Sequence, residues 1–129
     1  MKKKIIILLS LPVILVLSFI FLMHLIAMNS GFKGYRGGQQ DALRHTLASA
    51  YVSKYISPKA VDLFTLISER DPTAKHDKMD IHNNRIGKRL GPSLSNVYSE
   101  IKRKVEEGNE NATDENTITW LPKKNWVNF

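Results

Sequence analysis

The sequence predicts a mostly α-helical protein: a small bundle of about four helices behind one N-terminal transmembrane helix. Three observations lead there. Residues 5–28 form an apolar run broken only by Ser10, Pro12, Ser18 and His24. At 1.5 Å rise per residue such a run crosses a hydrocarbon core of about 30 Å. Beyond it, apolar residues recur at three- and four-residue spacing in segments cut by Gly and Pro, the signature of amphipathic helices. The 129-residue chain leaves roughly a hundred residues outside the run, room for one modest core.

The N-terminal segment, Lys2-Lys3-Lys4 followed by the apolar run, fits either a cleaved signal peptide or an uncleaved anchor. Leu25 stands where a cleavage site near Ala27 wants a small residue, and the run is long for a signal, so the anchor is favoured. Both readings export the remainder. The three lysines favour a cytoplasmic N-terminus, a bias opposed by Lys33 and Arg36 just past the span. The expected arrangement is a single pass through the inner or plasma membrane, with residues 5–28 in the lipid and the C-terminal domain outside the cytoplasm.

Residues 29–38 carry Gly31, Gly34, Gly37 and Gly38. They read as a flexible tether or as a loop with unusual backbone angles. A domain over 39–129 follows. Its first helix is expected at about 39–56, apolar nearly all round through Ala42, Leu43, Leu47, Ala48, Ala50, Tyr51, Val52 and Tyr55, which marks a central, buried helix. Ser57-Pro58 opens the second, to about Glu69, with Ala60, Leu63, Phe64 and Ile67 expected as its inward stripe. Asp71-Pro72 ends it, and Lys75, His76 and Asp77 read as a polar loop. The third helix, about 78–90, turns Met79, Ile86 and Leu90 to one face and stops at Gly91. Pro92 opens the fourth, where Leu94, Val97, Ile101 and Val105 keep helical spacing until Gly108. Residues 107–116 are acidic, Asn-rich and loop-like. The tail, with Trp120, Leu121, Trp126, Val127 and Phe129, is expected to dock on the helices to cover its aromatics.

Composition excludes more than it assigns. The absence of cysteine rules out disulfides and thiolate metal sites. Net charge is +7. Three of the 19 Lys and Arg precede the span, which leaves 16 against 12 acidic residues beyond it. That mild, scattered excess lacks interleaved aromatics and argues against a nucleic-acid partner. No Walker loop, Gly-x-Ser-x-Gly elbow or His-Glu-x-x-His motif occurs. Asn111-Ala112-Thr113 fits a glycosylation sequon, which matters only in a eukaryotic secretory pathway.

Two polar clusters interrupt the apolar helices. The first is Asp41-Ala42-Leu43-Arg44-His45, where Asp41 and His45, four apart, share a face. The second is Met79-Asp80-Ile81-His82-Asn83-Asn84-Arg85-Ile86-Gly87, where spacing sets His82 and Asn83 on or beside the inward face. His45 and His82 are expected to meet across the two helices, with Asp41 beside them and Asn83 nearby. Each residue also has a plain explanation. Asp41 suits the positive end of a helix dipole, Asp80 follows Asp77 at a spacing that fits a helix cap, and a single inward His is often just a satisfied core residue.

At these clusters the chain resembles a family of exported bacterial domains of unknown function, some of them associated with toxins. Members read approximately Asp-Ala-x-Arg-His and, some tens of residues later, Met-Asp-x-His-Asn-Asn-x-x-Gly. The resemblance spans about residues 39–91. It implies a helical domain characterised by Asp41, Arg44, His45, Asp80, His82, Asn83 and Asn84, and it implies no reaction.

Two functions stay open on the sequence. One is hydrolysis of an envelope component, with His45 or His82 as general base, Asp41 or Asp80 tuning it, and Arg44 for an anionic group. A metal-assisted form would hold a divalent ion on Asp41, His45 and His82. The other is a non-catalytic envelope or interaction protein whose His/Asp/Asn network fixes helix packing.

Overall fold

The computed structural model describes residues 2–69 and 71–128. Among them are five α-helices: α1 Lys2–Met28, α2 Gln39–Tyr55, α3 Pro58–Ser68, α4 Lys75–Leu90 and α5 Val97–Glu106. Two-residue strands β1 (Asn109–Glu110) and β2 (Thr119–Trp120) pair in parallel, and short 3-10 turns occupy Gly91–Ser93 and Lys123–Asn125. The chain is mostly α, as its patterning predicts.

Helix α1 is long and apolar enough to cross a membrane, and its apolar side chains from Ile5 to Leu17 are exposed. Its last turns are not. Met23 and Ala27 are buried, and Phe19 and Ile26 pack against the same core. The glycine-rich segment that follows takes the second of its two readings, a loop with unusual backbone angles. Gly31, Gly34 and Gly37 adopt positive φ, and the segment is hydrogen-bonded at both ends. Gln40 N–H donates to Lys33 O at 3.0 Å, Arg36 and Val127 exchange backbone bonds, and Leu121 N–H donates to Gly37 O at 2.8 Å.

Helix α2 is central, packing against α1, α3, α4 and α5. Ala42, Leu43, Leu47 and Ala50 are fully buried along it. Its closest neighbour is α4, and Gly87 is the reason. A Cβ on Gly87 would lie 2.3 Å from Thr46 O, so only glycine lets the two backbones approach this far. Thr46, Ser49 and Ala50 present small side chains at the same crossing.

Two expectations need correction. Helix α4 begins at Lys75, three residues before the expected start, so Lys75, His76 and Asp77 are helical and no side chain caps it. The N-cap is Ala74; Asp77 lies in the first turn and accepts from Asp71 N–H at 2.9 Å. Its capping work is thus done on the loop, and Asp80 sits past the cap in the second turn. On α3 the apolar stripe is inverted. Leu63 and Ile67 are 60% and 57% exposed and Phe64 is half-buried, whereas Val61 and Glu69 are buried. The face turned inward is Val61–Thr65–Glu69, at i, i+4 and i+8. Helix α5 starts at Val97 and not at Pro92, which lies in a 3-10 turn with Leu94 extended beyond it, but its expected face holds, with Val97, Ile101 and Val105 buried below 5% exposure.

Residues 107–116 hold β1 and otherwise form turns. In the tail, Ile118 and Leu121 are buried and Trp126 Nε1–H donates to Leu121 O at 2.6 Å. Phe129 lies outside the described residues.

Candidate functional site

Asp41 stands in the first turn of α2, where a carboxylate is favoured by the helix dipole and by unsatisfied N–H groups. Its Oδ2 accepts from Gly37 N–H at 2.7 Å, and its Oδ1 accepts from the Arg44 guanidinium. Gly37 is tightly enclosed: a Cβ there would lie 2.8 Å from His76 Cε1. Arg44 is held by that carboxylate, by Tyr35 O at 3.4 Å and by the Tyr35 ring beneath it. One turn along, His45 shares the face of Asp41.

The ring of His45 lies among three carboxylates from three helical segments. Its Nε2 is 3.5 Å from Asp41 Oδ1 and 3.4 Å from Asp80 Oδ2, and its Nδ1 is 3.5 Å from Glu69 Oε1. These separations exceed a good hydrogen bond. The Asp41, Asp80 and Glu69 side chains are 1%, 9% and 5% exposed, and His45 is 19% exposed. Asp77 joins from the first turn of α4, forming a second carboxylate group with Glu69 and Asp80. One oxygen, Asp80 Oδ1, is buried without any hydrogen-bond partner among the described residues.

Burial governs the protonation of this cluster. It lowers the His45 pKa, against the pull of the Asp41 charge, so the imidazole is neutral at neutral pH. It raises Glu69, with Asp77 adding to the effect. Asp80 is pushed up to about 10, first by burial and then by the Asp41 and Glu69 charges. Packed carboxylates in a poorly hydrated site cannot all ionise unless something positive joins them.

The second sequence cluster divides. Asp80 and Asn84 face α2 and α3; Asn84 Oδ1 accepts from Ser49 Oγ at 2.9 Å and its Nδ2 donates to Thr65 Oγ1 at 3.0 Å. Asn83 clamps β2, donating to Thr119 O at 2.8 Å and accepting from Thr119 N–H at 3.0 Å. His82 Nε2 pairs with Thr117 O at 2.8 Å. His45 and His82 therefore do not share a site. Asp80 and His82 are two residues apart, about 200° round a helix, so facing Asp80 toward His45 turns His82 away. His82 instead lines a groove of about 570 Å³ with Lys78, Trp120 and Pro122. A different groove, of about 330 Å³, borders the cluster at Glu69 and is also lined by Thr65, Asn84, Arg85 and the Lys88–Asp62 ion pair.

The sequence reading missed Glu69 and Asp77. A usable signal existed for both. Asp77, Asp80 and Asn84 lie at i, i+3 and i+7 on one face of α4, and Thr65 and Glu69 lie four apart on α3. His76, read as solvated, is half-buried in α4, and its Nδ1 has no partner among the described residues.

A family model described as "Domain of unknown function (DUF6973)" matches residues 23–116. The match opens at Met23, the first buried residue of α1, and contains every member of the cluster. No curated protein and no solved structure matches the chain.

Proposed function

The chain belongs to the DUF6973 family, and we propose that it is a membrane-anchored bacterial hydrolase acting on an envelope component outside the cytoplasm. The observation carrying this is the partly exposed His45 ring held among Asp41, Glu69 and Asp80. An unprotonated imidazole can take a proton from water, or give its lone pair to a metal ion that would acidify a bound water. Water adds across the scissile bond, and its proton passes through the cluster to the leaving group. The groove beside Glu69 and Asn84 is the proposed path to the cluster. Lys2–Lys4, at the start of α1 and ahead of its apolar run, favour the outward orientation.

The rival reading, a polar network kept for packing, is favoured for one part of the motif. His82, Asn83 and Asn84 have the short, complete hydrogen bonds that a structural role requires. Around the His45 ring the separations are long and, among the described residues, one buried carboxylate oxygen is unpaired.

The test uses the full chain in proteoliposomes with isolated envelope material, products being followed by mass spectrometry. His45→Gln should abolish turnover while the melting temperature stays close to that of the unaltered chain. Turnover that survives His45→Gln overturns the assignment. A C-terminal reporter that works only in the cytoplasm overturns the orientation.

A further inference from the structure

We propose that the cluster between α2, α3 and α4 is a divalent-metal site, with Asp41, His45 and Asp80 as one ligand set and Glu69 and Asp77 adjoining it through the shared Asp80. The donor atoms within each set lie within 4.8 Å of one another. Their spacing supports the assignment more than their number. His45 Nε2 stands 3.5 Å from Asp41 Oδ1 and 3.4 Å from Asp80 Oδ2. That is long for hydrogen bonds, but it is the separation of donors that share one ion. Donors bound at about 2.0–2.2 Å with tetrahedral angles lie roughly 3.3–3.6 Å apart.

A second observation is independent of the acidic residues' proximity. The Asp80 side chain is 9% exposed, it is the member common to both sets, and its Oδ1 has no hydrogen-bond partner among the described residues. Native proteins rarely bury an unpaired carboxylate oxygen, and an ion or a water that completes it is an accepted reason. Asp41 keeps capacity for an ion, since a carboxylate oxygen that accepts from Arg44 still has a lone pair to offer. Gly37 N–H on its other oxygen fixes its orientation, as outer contacts do for metal ligands. One imidazole with carboxylate oxygens, and no sulfur, suits zinc or manganese.

The metal reading of the sequence named His82 as the third ligand. The geometry replaces it with Asp80. The inference rests on the proposed hydrolysis only for what the ion does, which is to acidify a bound water; occupancy stands apart from it.

The experiment takes the untagged full chain in detergent, stripped of metal, and titrates it with zinc and then manganese by calorimetry and thermal melting. Saturable binding and a raised melting temperature are expected. Asp80→Asn should weaken binding by at least about tenfold, and His82→Gln should leave it unchanged. If Asp80→Asn does not fold, Glu69→Gln replaces it, with a smaller loss expected. No saturable binding by the unaltered chain overturns the site, as does binding lost in His82→Gln and retained in Asp80→Asn. A chain that binds the ion yet hydrolyses nothing supports the site and removes the hydrolase reading. Hydrolysis by a chain that binds no ion does the reverse.

Discussion

Helices α3 and α5 have similar sequence patterns and opposite orientations. Each carries apolar residues at three- and four-residue spacing. On α5 the stripe of Val97, Ile101 and Val105 is buried against α2. On α3 the residues Leu63, Leu66 and Ile67 are exposed, and Val61, Thr65 and Glu69 turn inward. Amphipathic spacing separates a helix into two faces, and burial follows from what the neighbours supply. Beside α5 the neighbours are Leu43, Leu47 and Ile118, so apolar contact wins. Beside α3 they are Asn84 and His45, which need polar partners, so the polar face wins.

The largest effect that tests this contrast is on α5. Ile101 is fully buried, and Ile101→Ala should cost about 2–5 kcal/mol through lost transfer energy and the cavity left behind. Chemical denaturation in detergent measures it. A loss below about 1 kcal/mol would mean that α5 is not packed as described, and the contrast with α3 would collapse.

A middle-sized effect belongs to the inward face of α3. Thr65 Oγ1 accepts from Asn84 Nδ2 at 3.0 Å. Thr65→Val keeps the shape and removes the acceptor, leaving a buried amide N–H unpaired. The expected cost is about 1–3 kcal/mol. Unchanged or increased stability would show that this face behaves as ordinary core, and that Asn84 finds another partner.

The same contrast explains what could be read from the sequence. Helix positions follow from Pro58, Gly91 and the 3.6-residue period: α2 and α3 lie within a residue of expectation, while α5 starts five residues after Pro92, which opens only a 3-10 turn. Helix α4 starts early because Lys75-His76-Asp77 is polar without being a loop: Asp77 serves the chain before it and His76 packs on Gly37. Asp41, His45 and Asp80 could be found because charge on an apolar helix is conspicuous. Glu69 is less conspicuous, because an acidic residue at a helix end is common, and its four-residue spacing from Thr65 gains meaning only once α3 lies beside His45. His82 was misjudged for a simpler reason. Spacing against Met79 and Ile86 places it near the inward side of α4, but that helix has two inward sides, one against α2 and one against β2 and the residues just before it, and His82 serves the second through Thr117.

The smallest expected effect is the sharpest test of the inversion. Leu66 is 75% exposed, the most exposed of the α3 apolar residues. An apolar side chain already in solvent gives up almost no transfer energy when replaced by a polar one of similar size. Leu66→Gln should therefore change folding stability by no more than about 0.5 kcal/mol. An inward Leu66 would instead force a polar amide into the core and cost several times as much. The same substitution should leave the Asn84–Thr65 bond intact, because Leu66 lies about 100° round the helix from Thr65. Denaturation curves of the unaltered chain and Leu66→Gln, run beside Thr65→Val, decide the point. Superposition of the first two with a clear shift in the third places the polar face inside. A larger loss at Leu66 than at Thr65 would put the apolar stripe back in the core and detach Glu69 from His45.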